Sequence, residues 1–344
     1  MSHEPAGVAV AVVPNNYPVT LLAYKLAPAL AAGCAMIVKP DLQTPLVTEQ
    51  VMRLLRQVGV PDGLVDVAYC DPPTTIDALV AAPEVKVVTF TGSNRAGRDV
   101  LARTSRTMAR CVLELGGVNS MVVEPDTPIA GTVAAALRKA FRNAGQVCHG
   151  ISRVYVARAS YRDWVQMFLA GMRPLRLGNG MDPATSVGPL ATSAARDRIA
   201  GQVRSARDAG ARVHQDLSTV PGIGWFYPPT AIADIDSDAP VTRAELFGPA
   251  VIITPYTDLD DVIDAINGQP GGLVTYLYGG DVARLTDRAR QIACGSIGIN
   301  THEVVSPRFP FGGWRDSGLG HELGADAVRN FQRPRHIRTR LTVV

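Results

Sequence analysis

Between Gly7 and Glu114, short β-branched runs alternate with stretches of helical spacing, and that alternation leaves few folds open. Val8 to Val13, Ala35 to Val38, Leu64 to Ala68 and Val85 to Phe90 read as strands. Val19 to Ala32, Pro45 to Val58, Thr74 to Ala82 and Arg95 to Ser105 read as the helices between them. Strand and helix in turn require right-handed crossovers, and therefore a parallel sheet with helices on both faces. Such α/β sheets take ligands beyond the carboxyl ends of their strands.

Three polar positions fall where that rule puts a ligand. Lys39-Pro40 follows the second strand, and the proline ends it. Thr91-Gly92-Ser93 follows the strand Val85 to Phe90 and opens a helix, so backbone donors and the positive end of a helix dipole face outward there. Asn16 comes just after Val8 to Val13. Each has a plainer reading: Lys39 as a surface lysine, Ser93 as an N-cap, Asn16 as a turn residue. Local sequence favours the plainer readings. No Gly-x-Gly-x-x-Gly stands at a strand-helix turn, and no Gly-Lys-Ser of the Walker type is present.

After Gly150 a second α/β region follows. Val154 to Val156, Phe226 to Ile235, Val251 to Thr254, Leu273 to Tyr278 and Ser296 to Ile299 read as strands. Tyr161 to Met172, Ala191 to Ala209, Asp258 to Ile266 and Val282 to Ile292 read as helices, with Gly210 placed to end the second. A chain of 344 residues is long enough for two domains with separate cores. The expected division is 1–115, 116–325 and a C-terminal tail, 326–344.

Composition excludes several classes. At 47% hydrophobic and 19% charged residues, disorder is not expected. A net charge of +3, dispersed except for Arg333 to Arg340, argues against nucleic acid. Cys34, Cys70, Cys111, Cys148 and Cys294 are widely spaced and odd in number, which suits a reducing compartment rather than a disulfide framework. No basic-then-apolar leader opens the chain, and its apolar runs are too short to span a membrane. A cytoplasmic protein with no membrane contact is expected. The six histidines show no paired spacing, so no metal site is expected.

One cysteine stands apart. Cys148 lies in Arg142-Asn143-Ala144-Gly145-Gln146-Val147-Cys148-His149-Gly150, a Gly-containing segment after the apolar helical run Val133 to Phe141 and before the β-rich stretch Ser152 to Val156. A lone cysteine is more often a small buried hydrophobe than a nucleophile. Its company changes that reading: Leu113-Glu114-Leu115-Gly116-Gly117 upstream, Glu245-Leu246-Phe247-Gly248-Pro249 downstream, and Pro310-Phe311-Gly312-Gly313-Trp314 near the end. The four blocks in this order resemble the aldehyde dehydrogenase superfamily, from about Pro5 to the C-terminus.

The resemblance implies a Rossmann-type parallel-sheet cofactor domain, an α/β catalytic domain and a C-terminal oligomerisation strand, His336 to Val343. It implies oxidation of a small-molecule aldehyde to the carboxylic acid with NAD or NADP. Cys148 would be the nucleophile, Glu114 the base, Asn16 and the Cys148 amide the oxyanion donors, and Lys25 the family's active-site lysine. Lys39, Thr91, Gly92, Ser93, Leu115, Glu245 and Phe247 would hold the cofactor. Tyr17, Leu21, Tyr24, Val147, His149, Val305 and Phe311 would line the aldehyde tunnel, with Arg308 and His302 favouring an acidic substrate if they point inward. Glu114 favours hydrolysis over transfer to coenzyme A.

Three departures qualify the transfer. Leu42 stands where family members commonly carry the glutamate that bonds the adenosine ribose, so NADP is admitted beside NAD, although Asp41 would repel its phosphate. Val118 replaces a frequent lysine. The match also starts where family members are well advanced, so an N-terminally shortened member is expected, with a homo-oligomer or a partner chain covering the face this leaves. A shortened paralogue of weak or no turnover, serving as a binding or assembly subunit, is the second reading.

Overall fold

A computed structural model describes residues 1–70 and 74–341. The chain divides into two compact units. The first comprises Met1–Leu115, Val305–Gly312 and Gly318–Val344; the second comprises Gly116–Val304 and Gly313–Ser317.

The first unit is built on a six-stranded sheet in the order Gly318–Leu319, Arg110–Leu115, Val85–Gly92, Val8–Val13, Ala35–Pro40, Val65–Val67. All pairings are parallel except the first, which is antiparallel. Along Val8–Val13 the side chains alternate between two cores, as the period of two requires. Ala9, Ala11 and Val13 join Leu22, Leu26, Met36 and Val38 on one face. Val10 and Val12 join Val88, Phe90, Val100 and Leu113 on the other. A strand covered on both faces must be apolar throughout, which is why this run shows no polar alternation. The helix Pro18–Ala31 starts at a proline with a preset φ and buries Leu21, Leu22, Lys25, Leu26 and Ala29. A lysine on that stripe needs a partner within the unit.

The second unit carries a seven-stranded sheet in the order Ser296–Ile299, Val274–Tyr278, Ser120–Val123, Arg153–Ala157, Ala250–Tyr256, Thr230–Ala233, Arg212–His214. Only the last pairing is antiparallel. The helix Ile129–Phe141 packs on Arg158–Met172, where Trp164 donates to Thr132 Oγ1 at 2.9 Å and stacks on Phe168 with centroids 5.2 Å apart. No helix among the described residues is long and apolar enough to cross a membrane.

Several elements differ from the sequence reading. The strand expected over Phe226 to Ile235 is confined to Thr230–Ala233, because Pro228 and Pro229 have no N–H to donate. Ser120–Val123, too short to stand out after two glycines, is a central strand. Among the described residues the last strand is Gln332–Arg335, antiparallel to Ser2–Pro5, ahead of the tail expected as a strand from His336 to Val343. A strand persists where a neighbour accepts its ladder, and residues 336–341 have none among the described residues of this chain; residues 342–344 lie outside the described residues. Residues 305–312 and 318–325, expected within 116–325, fold with the first unit. Gly318 and Leu319 pair there with Glu114 and Leu113.

Candidate active site

In the second unit, the chain leaves the helix Ile129–Phe141 through three consecutive left-handed residues, Asn143 (φ 51°), Ala144 (φ 54°) and Gly145 (φ 72°). Such a run costs free energy at the non-glycine positions and persists where surrounding contacts impose it. One contact is plain: a Cβ on Gly145 would fall 2.0 Å from the carbonyl oxygen of Gly248. The turn before Cys148 is thus packed backbone to backbone against the segment Glu245–Pro249.

Beyond it, the carbonyls of residues 148–150 are all engaged. Asn119, only 1% exposed, donates through Nδ2 to Cys148 O (2.6 Å) and Gly150 O (2.8 Å), and accepts from Val274 N–H at 3.0 Å. Tyr276 Oη donates to His149 O at 2.7 Å. The Cys148 thiol is partly buried, with Sγ 3.6 Å from His149 Nδ1. Burial first, then the positive charges of Lys139 and Arg142, pull His149 down to about 3. A neutral imidazole is not a counter-ion for a thiolate. Val147 is buried beside it.

The segment carrying Glu245 and Phe247 is fixed by the helix Ser193–Asp208. Gln202 Nε2 donates to Glu245 O at 2.9 Å and Arg198 Nη2 to Phe247 O at 3.2 Å. Phe247 is held at φ 41°. The Glu245 carboxyl lies over the two glycines that open this unit: a Cβ on Gly116 would fall 2.1 Å from Oε2. Burial pushes this carboxyl up to about 7, opposed by the Gly117 N–H and Arg198.

In the first unit the candidate residues Thr91 and Glu114 lie at the carboxyl ends of their strands. Lys25, fully buried, forms an ion pair with Glu322 and donates to Thr91 Oγ1 at 2.7 Å and Thr89 Oγ1 at 3.4 Å. Glu114, 5% exposed, has no hydrogen-bond partner on either oxygen among the described residues. Burial holds its carboxyl well above the ordinary value, Glu322 pushes it further, and Lys25 opposes. Sequence reasoning missed Glu322. The available signal was Lys25 itself, a cation on the apolar stripe of a helix, which calls for a carboxylate elsewhere.

The other residues singled out are distributed as follows. Lys39, 6% exposed, is the penultimate residue of the strand Ala35–Pro40 and makes no ion pair among the described residues. Ser93 Oγ accepts from Ala96 N–H and caps the helix Asn94–Thr104, with Gly92 just before it. The Thr91 hydroxyl serves Lys25. Leu115 is a core residue packed against Gly97. Asn16 follows the strand Val8–Val13; Tyr17 and Tyr24 pack against the core that contains Leu21. Phe311 is buried and bridges Glu322 through paired backbone hydrogen bonds of 2.7 and 2.8 Å; Val305 is half-buried and Arg308 exposed. In the second unit His302 Nε2 lies 3.2 Å from a carboxylate oxygen of Glu303.

Comparison with known proteins shows what the chain as a whole resembles. The chain is 35% identical over 329 residues to a probable NADP(+) succinate-semialdehyde dehydrogenase of Sinorhizobium fredii, covering 95% of this chain and 67% of that protein. It is 38% identical over 327 residues to the 4-(hydroxymethyl)benzenesulfonate dehydrogenase TsaD1 of Comamonas testosteroni, with 95% and 68% covered. A crystal structure of betaine aldehyde dehydrogenase from Staphylococcus aureus in complex with NAD+ superposes with a TM-score of 0.93 at 29% identity, covering 97% of this chain and 67% of that one. Because the family model for the aldehyde dehydrogenase family matches residues 1–337, on top of these likenesses, this chain belongs to the aldehyde dehydrogenase family.

Proposed function

We propose that this enzyme uses Cys148 to oxidise an aldehyde bearing an anionic group to the carboxylic acid, with NAD or NADP as the oxidant. The substrate class is carried by the positive field at the nucleophile. Lys139 and Arg142 both act on His149, the residue next to Cys148, and Arg142 and Arg138 add to the field around Lys139 against the single carboxylate Glu303. Cations around a cleft raise the local concentration of anionic substrates. The two relatives described above are named for a semialdehyde with a carboxylate and for a benzenesulfonate, both anionic molecules.

The chemistry assigns each chain group one task. The Cys148 thiolate adds to the aldehyde carbon, and the oxyanion that forms takes hydrogen bonds from the Cys148 N–H and the Asn16 amide. When bound, the nicotinamide supplies the hydride acceptor. The acyl group is left on Cys148 as a thioester, and Glu114 takes a proton from the water that hydrolyses it. A carboxyl buried without hydrogen bonds, and raised by that burial, suits a base working near neutral pH. The first unit fits an anionic dinucleotide: Lys39 is a buried cation that makes no ion pair among the described residues, and the capped N-terminus of Asn94–Thr104 follows the carboxyl end of another strand of the same sheet. Asp41 is committed to Asn15 Nδ2 (3.2 Å) and Gln43 N–H (2.8 Å). Glu245 and Phe247 are assigned the nicotinamide ribose and ring.

The test compares kcat/KM of the full chain for a four-carbon aldehyde ending in a carboxylate with that for butanal, with each cofactor and at two ionic strengths. The charged aldehyde is expected to win by about tenfold or more at low salt, with the margin shrinking as salt rises. Equal values overturn the substrate class. Well-folded protein without turnover on any aldehyde returns the reading to a binding or assembly subunit.

A further inference from the structure

Lys139 contributes to the positive field at Cys148 but takes no step in the chemistry above, and its position calls for a further role. It lies in the last turn of the helix Ile129–Phe141, yet is only 8% exposed. It makes no ion pair among the described residues. Its ammonium rests over the ring of Tyr276, 5.3 Å from the centroid, and Tyr276 Oη in turn donates to His149 O, the carbonyl directly after Cys148. Its main chain abuts the same loop: a Cβ on Gly150 would lie 3.3 Å from Lys139 O. A buried cation with no carboxylate in contact is costly, and a ring face offsets only part of that cost.

We infer that Lys139 is a positioning residue whose ammonium, seated on Tyr276 beneath the nucleophile loop, holds Cys148 in the thiolate form. The inference rests on Cys148 being the nucleophile and adds how that thiol is activated without a histidine. His149 cannot serve, because burial keeps it neutral. Burial pulls Lys139 down to about 8, Glu303 and Cys148 hold it up, and Arg142 and Arg138 oppose them. The lysine therefore remains mostly charged at neutral pH. His302, lowered by burial, and Tyr276, raised by burial, face it uncharged. Charge stabilisation is mutual: a thiolate that raises Lys139 is favoured by Lys139 to the same extent.

The experiment is the rate of Cys148 alkylation by iodoacetamide against pH, followed on the Cys148 peptide by mass spectrometry, with no aldehyde or cofactor present. In Lys139→Met the midpoint is expected to rise by about one pH unit and the rate near neutrality to fall roughly tenfold, with Lys139→Arg restoring most of it. An unchanged midpoint in a folded Lys139→Met protein overturns the inference, as does failure of arginine to restore it. Should Lys139→Met not fold, the unmutated chain decides. It has four lysines, so Lys139 can be followed by NMR after reductive methylation. Capping Cys148 removes the thiolate and must lower the Lys139 midpoint; no change overturns the inference. Because no substrate is involved, an alkylation shift without aldehyde turnover would sink the proposed function and leave the lysine's role standing.

Discussion

Lys25 and Glu322, separated by 297 residues, form an ion pair at the centre of the first unit, with side chains 0% and 4% exposed. Breaking such a pair from one side leaves an uncompensated buried charge. Glu322→Gln is therefore expected to destabilise the protein by about 3 kcal/mol or more, read from denaturant unfolding of the full chain. The same change removes the negative charge that raises Glu114. The acid limb of kcat against pH should move to lower pH in the variant, because Lys25 then acts on Glu114 unopposed. A limb that stays in place would show that Glu114 does not set it.

Glu114 has a second readout, in stability. Its carboxyl titrates well above the ordinary value of 4.5 in the folded protein, so folding favours the protonated form. The stabilisation from that proton is fully present below the unfolded value and is lost as pH rises through the folded one. Glu114→Gln removes the charge, so its thermal midpoint should exceed that of the unmutated chain above neutrality and converge with it in mild acid. Turnover should fall by at least a hundredfold, on the order expected for loss of a general base. Equal melting curves at alkaline pH would mean that the carboxylate is solvated.

Gly145 tests the turn before the nucleophile. At φ 72°, and with the Gly248 oxygen 2.0 Å from where a Cβ would sit, alanine cannot be accommodated without moving one backbone segment away from the other. Gly145→Ala should cost on the order of 2 kcal/mol or more and lower kcat severely. Gly131→Ala, in a helix of the same unit and with open space at its Cβ, is the control and should stabilise by up to about 1 kcal/mol. Comparable behaviour of the two variants would remove the packing argument.

What could be read from the sequence follows from the range of each interaction. The parallel sheet of the first unit was legible because Val8–Val13 and its neighbours are apolar on both faces, a property of consecutive residues. The surroundings of Cys148 were legible in part, since Arg142 to Gly150 is a continuous stretch. Glu322 was not, because nothing near Gly320-His321-Glu322 shows that Lys25 lies against it. Lys139 was hidden for the opposite reason: beside Arg138 in a helix it reads as one of two solvated cations, and only the fold puts it over Tyr276. The packing of Leu115 against Gly97 likewise joins residues that nothing in their local sequence connects. The inner end of the tail was not legible because strand pairing depends on a partner, and Ser2–Pro5 takes up Gln332–Arg335 within this chain.

Glu245 yields a pH-dependent prediction of its own. Burial against Gly116 and Gly117 pushes its carboxyl up to about 7, so in the free protein it is partly protonated at neutral pH. A carboxylate accepts two ribose hydroxyls, whereas its protonated form must first redirect its own O–H. Affinity for NAD or NADP, measured by quenching of protein fluorescence, should therefore weaken as pH falls through about 7 and level off above it. In Glu245→Gln the affinity should be lower, by roughly tenfold, and flat across the same range. If the variant keeps the slope, another group is titrating, and the ribose contact must be assigned elsewhere. If affinity is unchanged and flat in both proteins, Glu245 does not touch the cofactor, and its burial over the two glycines serves only to fix the Glu245–Pro249 segment against the turn that carries Cys148.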